Sequence, residues 1–358
     1  MAKVALVMAG GTGGHIFPAK AVADLLQAEG WIVHWLGTAD RMEAKLVPGF
    51  GYEFHSIAVA GLRGKGLKSL LKAPLMLWRS VAQARSLVRQ LKPQLVLGFG
   101  GYASGPGGLA AYLAGIPLLV HEQNAVAGTT NKLLAKLATK VLVAFPQALA
   151  GLGQGLVVGN PVRQEVVALA AQAKAAQQAL RVLVVGGSLG AQVFNQQLPG
   201  QFAQLAALGE LEIWHQTGQA NLPQVQQAYQ QLGLAARVEA FIDDMAGAYH
   251  WADLVVCRAG ALTVSELACA GLPAVFVPLP SAIDDHQTAN ANYLVQQQGA
   301  VLLKQNDLIQ GALVPLLQPW LQDKTVLVRM GQQARRAATD DAAEQVVRVC
   351  RELAGNTK

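Results

Sequence analysis

Apolar residues in this chain recur in short unbroken runs, not in strict alternation. In the first half the runs fall at Val4–Met8, Ile32–Leu36, Phe54–Val59, Leu95–Leu97, Leu118–His121 and Val141–Ala144. In the second half they fall at Val182–Val185, Leu211–His215, Val238–Phe241, Leu254–Cys257 and Ala274–Val277. Each is bounded by glycine or turn residues, and longer amphipathic stretches lie between most of them. That pattern predicts strands buried on both faces alternating with helices, hence α/β architecture with parallel sheets. Both halves begin alike: Val4-Ala-Leu-Val-Met-Ala-Gly-Gly-Thr-Gly-Gly and Val182-Leu-Val-Val-Gly-Gly-Ser-Leu-Gly each read as strand, glycine turn, helix. Two doubly wound, Rossmann-like domains follow. The breakers in Gly159-Asn-Pro-Val-Arg163 put the join there, giving domains at 1–160 and 161–340. The Ala/Gln-rich stretch Ala168–Ala179 is strongly helix-forming and predicts an exposed helix.

A length of 358 residues suits two cores. Hydrophobic residues make up 52% and charged residues 14%, so some apolar surface is expected. Lys and Arg number 28 against 22 Asp and Glu, a balance of +6. That favours anionic partners (phosphate-bearing ligands, nucleic acid or acidic lipid) unless it is spread as ordinary solubility charge. Cys257, Cys269 and Cys350 form no C-x-x-C pair, and no Cys/His cluster has zinc spacing. So sparse a set fits a reducing cytosol, and no metal is expected. The first apolar run is too short for a signal segment. No run reaches the roughly 18 apolar residues of a membrane span, so membrane contact is expected to be peripheral.

Three glycine turns follow strands: Gly10-Gly-Thr-Gly-Gly-His15, Gly100-Gly-Tyr-Ala-Ser-Gly-Pro106 and Gly186-Gly-Ser-Leu-Gly190. Such a turn at a helix start lets backbone N–H groups approach an anion, and the helix dipole favours negative charge. Tight turns also want glycine for steric reasons alone. Three together, two with a hydroxyl at Thr12 and Ser188, point to phosphate or sugar binding. None is G-x-G-x-x-G and no G-x-x-x-x-G-K-[ST] occurs, which argues against a dinucleotide dehydrogenase and a P-loop NTPase. Asp40 after the second strand lacks the fingerprint that would make it a ribose ligand of NAD.

The chain also carries, in order, Leu36-Gly-Thr-Ala-Asp-Arg-Met-Glu43, Gly61-Leu-Arg-Gly-Lys65, His121-Glu-Gln-Asn124, Phe241-Ile-Asp-Asp-Met245 and Gly260-Ala-Leu-Thr-Val-Ser-Glu266. With the first two glycine turns and the Gly159 segment, this ordered set closely resembles the MurG family of N-acetylglucosaminyltransferases, from the first strand to about residue 290. The resemblance implies a GT-B fold with a cleft between two domains, and a last helix (341–358) returning to the N-terminal domain. It implies UDP-N-acetylglucosamine as donor and lipid I, an undecaprenyl-linked acceptor, as partner, with no cofactor. Other cell-wall synthesis enzymes are further expected partners, at the cytoplasmic face of the bacterial inner membrane.

The implied reaction is inverting displacement of UDP by the C4 hydroxyl of N-acetylmuramic acid, which needs a base and a stabiliser for the leaving diphosphate. His15, just after the first glycine turn, is the candidate catalytic base; capping the helix or bonding a phosphate is its alternative role. No D-x-D motif occurs, and the pairs Asp243-Asp244, Asp284-Asp285 and Asp340-Asp341 read as helix N-caps. The resemblance assigns the diphosphate to Ser188 and to the helix start at Ala261, Leu262 and Thr263, with Val264 and Ser265 in the same donor motif. It assigns the ribose hydroxyls to Glu266, the uracil to Ile242, the sugar ring to Asn124 and Gln287, and a donor-side hinge to Arg163. Thr12, Gly13 and Gly14 are counted with the donor and are also able to cradle the lipid diphosphate. On the acceptor side stand Gly100, Gly101, Tyr102, Ser104 and Glu122, the last either orienting His15 or meeting the acceptor. Two departures stand out: His286 precedes Gln287 where the family often has two glutamines, and Ala259 stands where it commonly has serine.

From Arg63 to Arg89 the chain has no acidic residue. Basic residues, among them Lys72 and Arg79, interleave with Leu67, Leu71, Leu75 and Trp78. Such a basic amphipathic segment suits an anionic membrane surface; an ordinary helix with a core face is the alternative. The basic residues alternate with aliphatics, not with base-stacking aromatics, so no nucleic-acid partner is expected. A UDP-N-acetylglucosamine 2-epimerase-like isomerase and a non-catalytic nucleotide-sugar-binding scaffold are the competing functions.

Overall fold

The computed structural model describes residues 2–59, 67–172, 178–187 and 190–355, with the side chains of 67–73 and of 283 left aside. The chain divides into two compact units, Met1–Arg163 with Asp341–Lys358, and Gln164–Asp340.

The first unit is built on β1 (Val4–Ala9), β2 (Ile32–Gly37), β3 (Glu53–Ser56), β4 (Leu95–Gly100), β5 (Leu118–Glu122), β6 (Lys140–Val143) and β7 (Leu156–Val157). They form one sheet in the order β3-β2-β1-β4-β5-β6-β7, and every pairing is parallel. β1 and β4 are buried along almost their whole length, which is why their sequences are continuous apolar runs. One face is covered by the helices Gly13–Ala28 and Ala342–Gly355, which pack on each other. Ile16, Val22 and Leu26 from the first, and Val346, Val347 and Cys350 from the second, share one core with Val7, Trp35 and Leu97. The other face is covered through Ala84, Val88, Ala110 and Ala111.

The second unit holds β8 (Leu180–Val185), β9 (Leu211–Gln216), β10 (Arg237–Glu239), β11 (Leu254–Cys257), β12 (Ala274–Phe276) and β13 (Ala300–Leu302). Their order is β10-β9-β8-β11-β12-β13, again all parallel. Both sheets therefore reverse strand order once, at β1/β4 and at β8/β11. Open parallel sheets bind ligands beyond the strand C-termini at that switch point. All three glycine turns lie there: after β1, after β4 and after β8.

Several local expectations need correction. β3 stops at Ser56 instead of reaching Val59, and β10 spans Arg237–Glu239, leaving Phe241 exposed. β7 and β13 extend the sheets without having been expected; β7 is an exposed edge of only two residues, too short a run to stand out. Ala168–Ala171 winds as a 3-10 turn that buries Leu169, and Gln172 is extended, so no long helix begins there; 173–177 lie outside the described residues. Of the aspartate pairs, Asp244 caps a helix through Gly247 N (2.8 Å), whereas Asp285 makes no cap hydrogen bond and Asp284 and Asp285 both have positive φ. Asp340 pairs with Arg335, and Asp341 accepts from the Gln345 amide side chain at 2.8 Å.

Candidate active site

In the first unit the chain leaves β1 through Gly10 and Gly11 and enters the helix Gly13–Ala28, which places His15 in its first turn. His15 Nδ1 lies 2.9 Å from the carbonyl oxygen of Gly10. A carbonyl only accepts, so in the neutral ring Nδ1 carries the proton and the lone pair is on Nε2, the tautomer a general base needs. Nε2 points along Gly100, where an added Cβ would stand 2.9 Å away. A Cβ on Gly101 would come within 2.8 Å of the Gly10 backbone, so the two glycine turns pack directly together. Both glycines have φ near +100°, a second reason for their identity (Gly100 +108, Gly101 +94).

Glu43, which the sequence reading passed over, sets the shape of this turn. Its buried carboxylate accepts from Gly11 N at 2.8 Å, Thr38 N at 3.1 Å and Thr38 Oγ1 at 2.7 Å. The Gly11 N–H is thus committed to the fold. The N–H groups of Gly13 and Gly14 precede the first helical bond, from His15 N to Thr12 O (3.1 Å), and face the switch point as an anion-compatible helix start. Thr12, the cap residue, has extended backbone and makes no side-chain cap bond.

The other first-unit candidates divide. Ser104 is fully buried, and its hydroxyl donates to Gly100 O at 2.8 Å; it fastens the glycine turn. Tyr102 is exposed, with the Arg41 guanidinium 5.4 Å from its ring centre. Glu122 is buried, and its carboxylate accepts from Asn124 N (2.9 Å), Gly128 N (3.0 Å) and Asn131 Nδ2 (2.9 Å). It shapes the loop after β5 and holds Asn124; the His15 ring is oriented by Gly10 instead. Arg163 falls in the first unit, its guanidinium 5.4 Å from the Phe17 ring centre. His121 is structural: it donates Nε2–H to Gly159 O at 2.9 Å, stacks on Phe99, and burial pushes its pKa down to about 4.

In the second unit a cavity of about 620 Å³ opens beyond β8 and β11, lined among others by Gly186, Gly187, Gly190, Arg258, Gly260, Thr263 and Gln287. The helix Ala261–Ala270 starts here from Gly260 without a side-chain cap. The N–H groups of its first turn, among them those of Leu262 and Thr263, come before the bond from Val264 N to Gly260 O at 3.0 Å. Arg258, absent from the sequence-based set, supplies the positive charge. Its fork donates to Val277 O (2.9 Å), Pro278 O (3.1 Å) and Gln305 Oε1 (2.8 Å), over the Phe194 ring. Among the described residues no carboxylate pairs with it, and burial lowers its pKa from the usual guanidinium value. Gln287 Oε1 accepts from Leu279 N at 2.9 Å, leaving its amide N–H groups on the cavity side.

Elsewhere the donor motif turns inward. Val264 is fully buried, and Ser265 spends its hydroxyl on Ala261 O at 3.1 Å. Glu266 is buried, not a surface glutamate, and accepts from Tyr249 OH at 3.0 Å. Ile242 is buried beside a separate cavity of about 440 Å³ with Phe241 and Trp214, outside the first one. Ser188 lies outside the described residues.

Two doubly wound parallel sheets with anion-ready helix starts at both switch points define a nucleotide-sugar enzyme of the GT-B class. Residues 5–143 match the glycosyltransferase family 28 N-terminal domain and residues 181–346 its C-terminal domain. The N-acetylglucosamine transferase of Aeromonas hydrophila, named for UDP-N-acetylglucosamine and N-acetylmuramyl-(pentapeptide) pyrophosphoryl-undecaprenol, is 57% identical over 99% of this chain and 98% of its own. The enzyme of the same name from Shewanella amazonensis is 55% identical over 98% and 97%. The crystal structure of Acinetobacter baumannii MurG is 41% identical, with TM-score 0.82 over 98% of this chain and 99% of that one. A UDP-GlcNAc 2-epimerase from Neisseria meningitidis has TM-score 0.68 at 11% identity, a likeness of fold alone. The chain belongs to glycosyltransferase family 28 and, within it, to the MurG family.

Proposed function

We propose that this chain is the inverting glycosyltransferase that moves N-acetylglucosamine from UDP-N-acetylglucosamine to the C4 hydroxyl of N-acetylmuramoyl-pentapeptide in lipid I, giving lipid II for peptidoglycan. Within the family, the observation that carries the mechanism is the His15 tautomer fixed by Gly10. Nε2 takes the hydroxyl proton as the oxygen attacks the anomeric carbon; the bond from that carbon to the diphosphate breaks, and UDP leaves with the electron pair. Arg258 and the N–H groups of Leu262 and Thr263 meet the charge that develops on the diphosphate. Gln287 and Asn124 read sugar hydroxyls, Glu266 the ribose and Ile242 the uracil. The first unit binds the acceptor, and the helix starts at Gly13 and Gly14 suit its diphosphate.

The enzyme reaches its acceptor by resting on an anionic membrane surface at the cytoplasmic face. Among the described residues no helix is long and apolar enough to cross a membrane. Supporting a peripheral contact, the helix Leu67–Leu91 exposes Leu75, Leu77 and Trp78 beside Arg79.

The test is transfer of radiolabelled N-acetylglucosamine from the UDP donor to a soluble lipid I analogue, for the wild type and His15→Ala, with EDTA present. Transfer by the wild type and near-complete loss in the variant is the expected result. Donor epimerised or hydrolysed with no transfer would replace this reading with the isomerase one.

A further inference from the structure

We propose that His34, Glu53 and His55 form a binding site for a divalent transition metal of the zinc class at the edge of the first unit's sheet. His34 lies on β2 and the other two on β3, the edge strand. The register pairs His34 with Glu53 and Leu36 with His55. Side chains two apart on a strand share a face, and so do those directly across a parallel pair, so all three project from the same side of the sheet. Sequence spacing gives no hint of this, because 21 residues separate the histidines and only strand register joins them.

His34 Nδ1 is 3.1 Å from His55 Nε2 and 3.3 Å from a Glu53 oxygen, and His55 Nε2 is 3.5 Å from the other Glu53 oxygen. Zinc bonds of 2.0–2.1 Å in tetrahedral array put neighbouring ligand atoms about 3.3 Å apart. Glu53 shows a different oxygen to each ring, and one ligand atom from each residue can be chosen so that all three lie within 4.8 Å of one another, so a cation is accommodated once the carboxylate turns one oxygen between the two nitrogens. Without one, the group is poorly matched. Two neutral imidazole nitrogens facing each other can make only one hydrogen bond between them, and the carboxylate oxygens beside them look to solvent for donors. A divalent cation satisfies all the converging lone pairs at once.

The donor set selects the metal. Two imidazoles and one carboxylate suit zinc, copper or nickel; calcium and magnesium prefer all-oxygen sites. His34 is nearly buried, whereas the Glu53 side chain is 65% exposed, which leaves the fourth position to water. The site is remote in sequence from the glycine turns and contributes no atom to transfer. Its effect is to clip a four-residue edge strand to its neighbour just before the chain leaves the sheet at Ser56.

The experiment uses full-length, untagged protein stripped with EDTA and titrated with Zn²⁺ by calorimetry and with Co²⁺ by visible absorption. The expected result is one equivalent bound, a four-coordinate cobalt spectrum without a sulfur charge-transfer band, and a raised melting temperature. Cys257, Cys269 and Cys350 are buried and cannot supply that sulfur. His55→Gln and the more exposed Glu53→Gln should each weaken binding by about tenfold or more and abolish the thermal shift. Their circular dichroism and transfer activity should match the wild type. No Zn²⁺ binding at about 100 μM, which would be weaker than any functional zinc site, overturns the proposal. So does equal binding by the wild type and both variants, which would put the metal elsewhere.

Discussion

Gly100, at the end of β4, faces the ring of His15 in the helix that follows β1: a Cβ built on Gly100 falls 2.9 Å from both Nε2 and Cδ2 of the imidazole. The Nε2 lone pair of His15 therefore owes its position to a missing side chain as much as to the Gly10 carbonyl behind it. The Gly100→Ala variant must turn the ring or move the strand end, and its φ of +108° adds strain. Displacement of a reacting group by about 1 Å costs on the order of 100-fold in rate. The expected outcome is a fall in kcat of that order, with the KM for UDP-N-acetylglucosamine little changed. Wild-type kcat in the variant would mean that the ring is not confined here.

How much of this was legible beforehand depends on where the information resides. Val4–Met8 and Val182–Val185 announce themselves because strands buried on both faces rarely carry polar residues away from their ends, and the glycine turns after them mark the switch points. The start of the Ala168–Ala179 stretch departs from its helix propensity because that is a weak term: burying Leu169 in a short 3-10 turn over Ala168–Ala171 overrides it. Glu43 looks like a surface residue of a helix start until Gly11 and Thr38 close over it. Arg258 sits beside a legible motif, but its orientation comes from carbonyls at Val277 and Pro278, about 20 residues away, which only the fold brings near. Ser104 and Val264 occupy motif positions yet face inward, and Ser265 bonds back to its own helix, since a motif preserves a turn's packing as well as its chemistry.

Arg258 offers the sharpest separation of binding from chemistry. Its fork makes three hydrogen bonds that a lysine cannot reproduce, so Arg258→Lys should behave more like Arg258→Met than like the wild type. Both variants are expected to raise the KM for the UDP donor by about tenfold or more, equivalent to about 1.4 kcal/mol. The KM for the acceptor analogue should be unaffected. Steady-state kinetics with each substrate varied decides it, and an unchanged donor KM in Arg258→Met would remove the residue from the diphosphate site.

Two buried histidines should make the fold acid-sensitive. Burial lowers the pKa of His121 to about 4 and that of His215 to about 3, from an ordinary 6.5. Between those values and 6.5 the unfolded chain binds more protons than the folded one, so stability falls as pH falls. At pH 5 each histidine is expected to cost about 2 kcal/mol relative to neutral pH. Urea melts at pH 7 and pH 5 measure the loss. His215→Gln, which retains a partner for Tyr229 OH, should remove roughly half of it; the same pH dependence in the variant would place the titration in other groups.

The helix Leu67–Leu91 has a well-defined inner face: Ser80 bonds to Ala58 O at 2.6 Å, and Ala84 and Val88 are buried in the core, each one turn from the last. Leu75 and Trp78 lie off that face and are 53% and 68% exposed, and Leu77, two turns before Ala84 on the same stripe, is still 47% exposed, so core packing does not account for them. Arg79, Arg85 and Arg89 are exposed on the same helix. Trp78→Ser removes apolar area that supports nothing inside the protein, so stability and transfer to a soluble acceptor should not change. Binding to vesicles containing anionic lipid should weaken about tenfold, the size expected for withdrawing one large side chain from an apolar phase. Binding to purely zwitterionic vesicles should be weak for both proteins, and added salt should reduce the wild-type affinity because the arginines act through screened charge. Equal sedimentation of wild type and variant with anionic vesicles would show that this helix is not the contact, however apolar its surface.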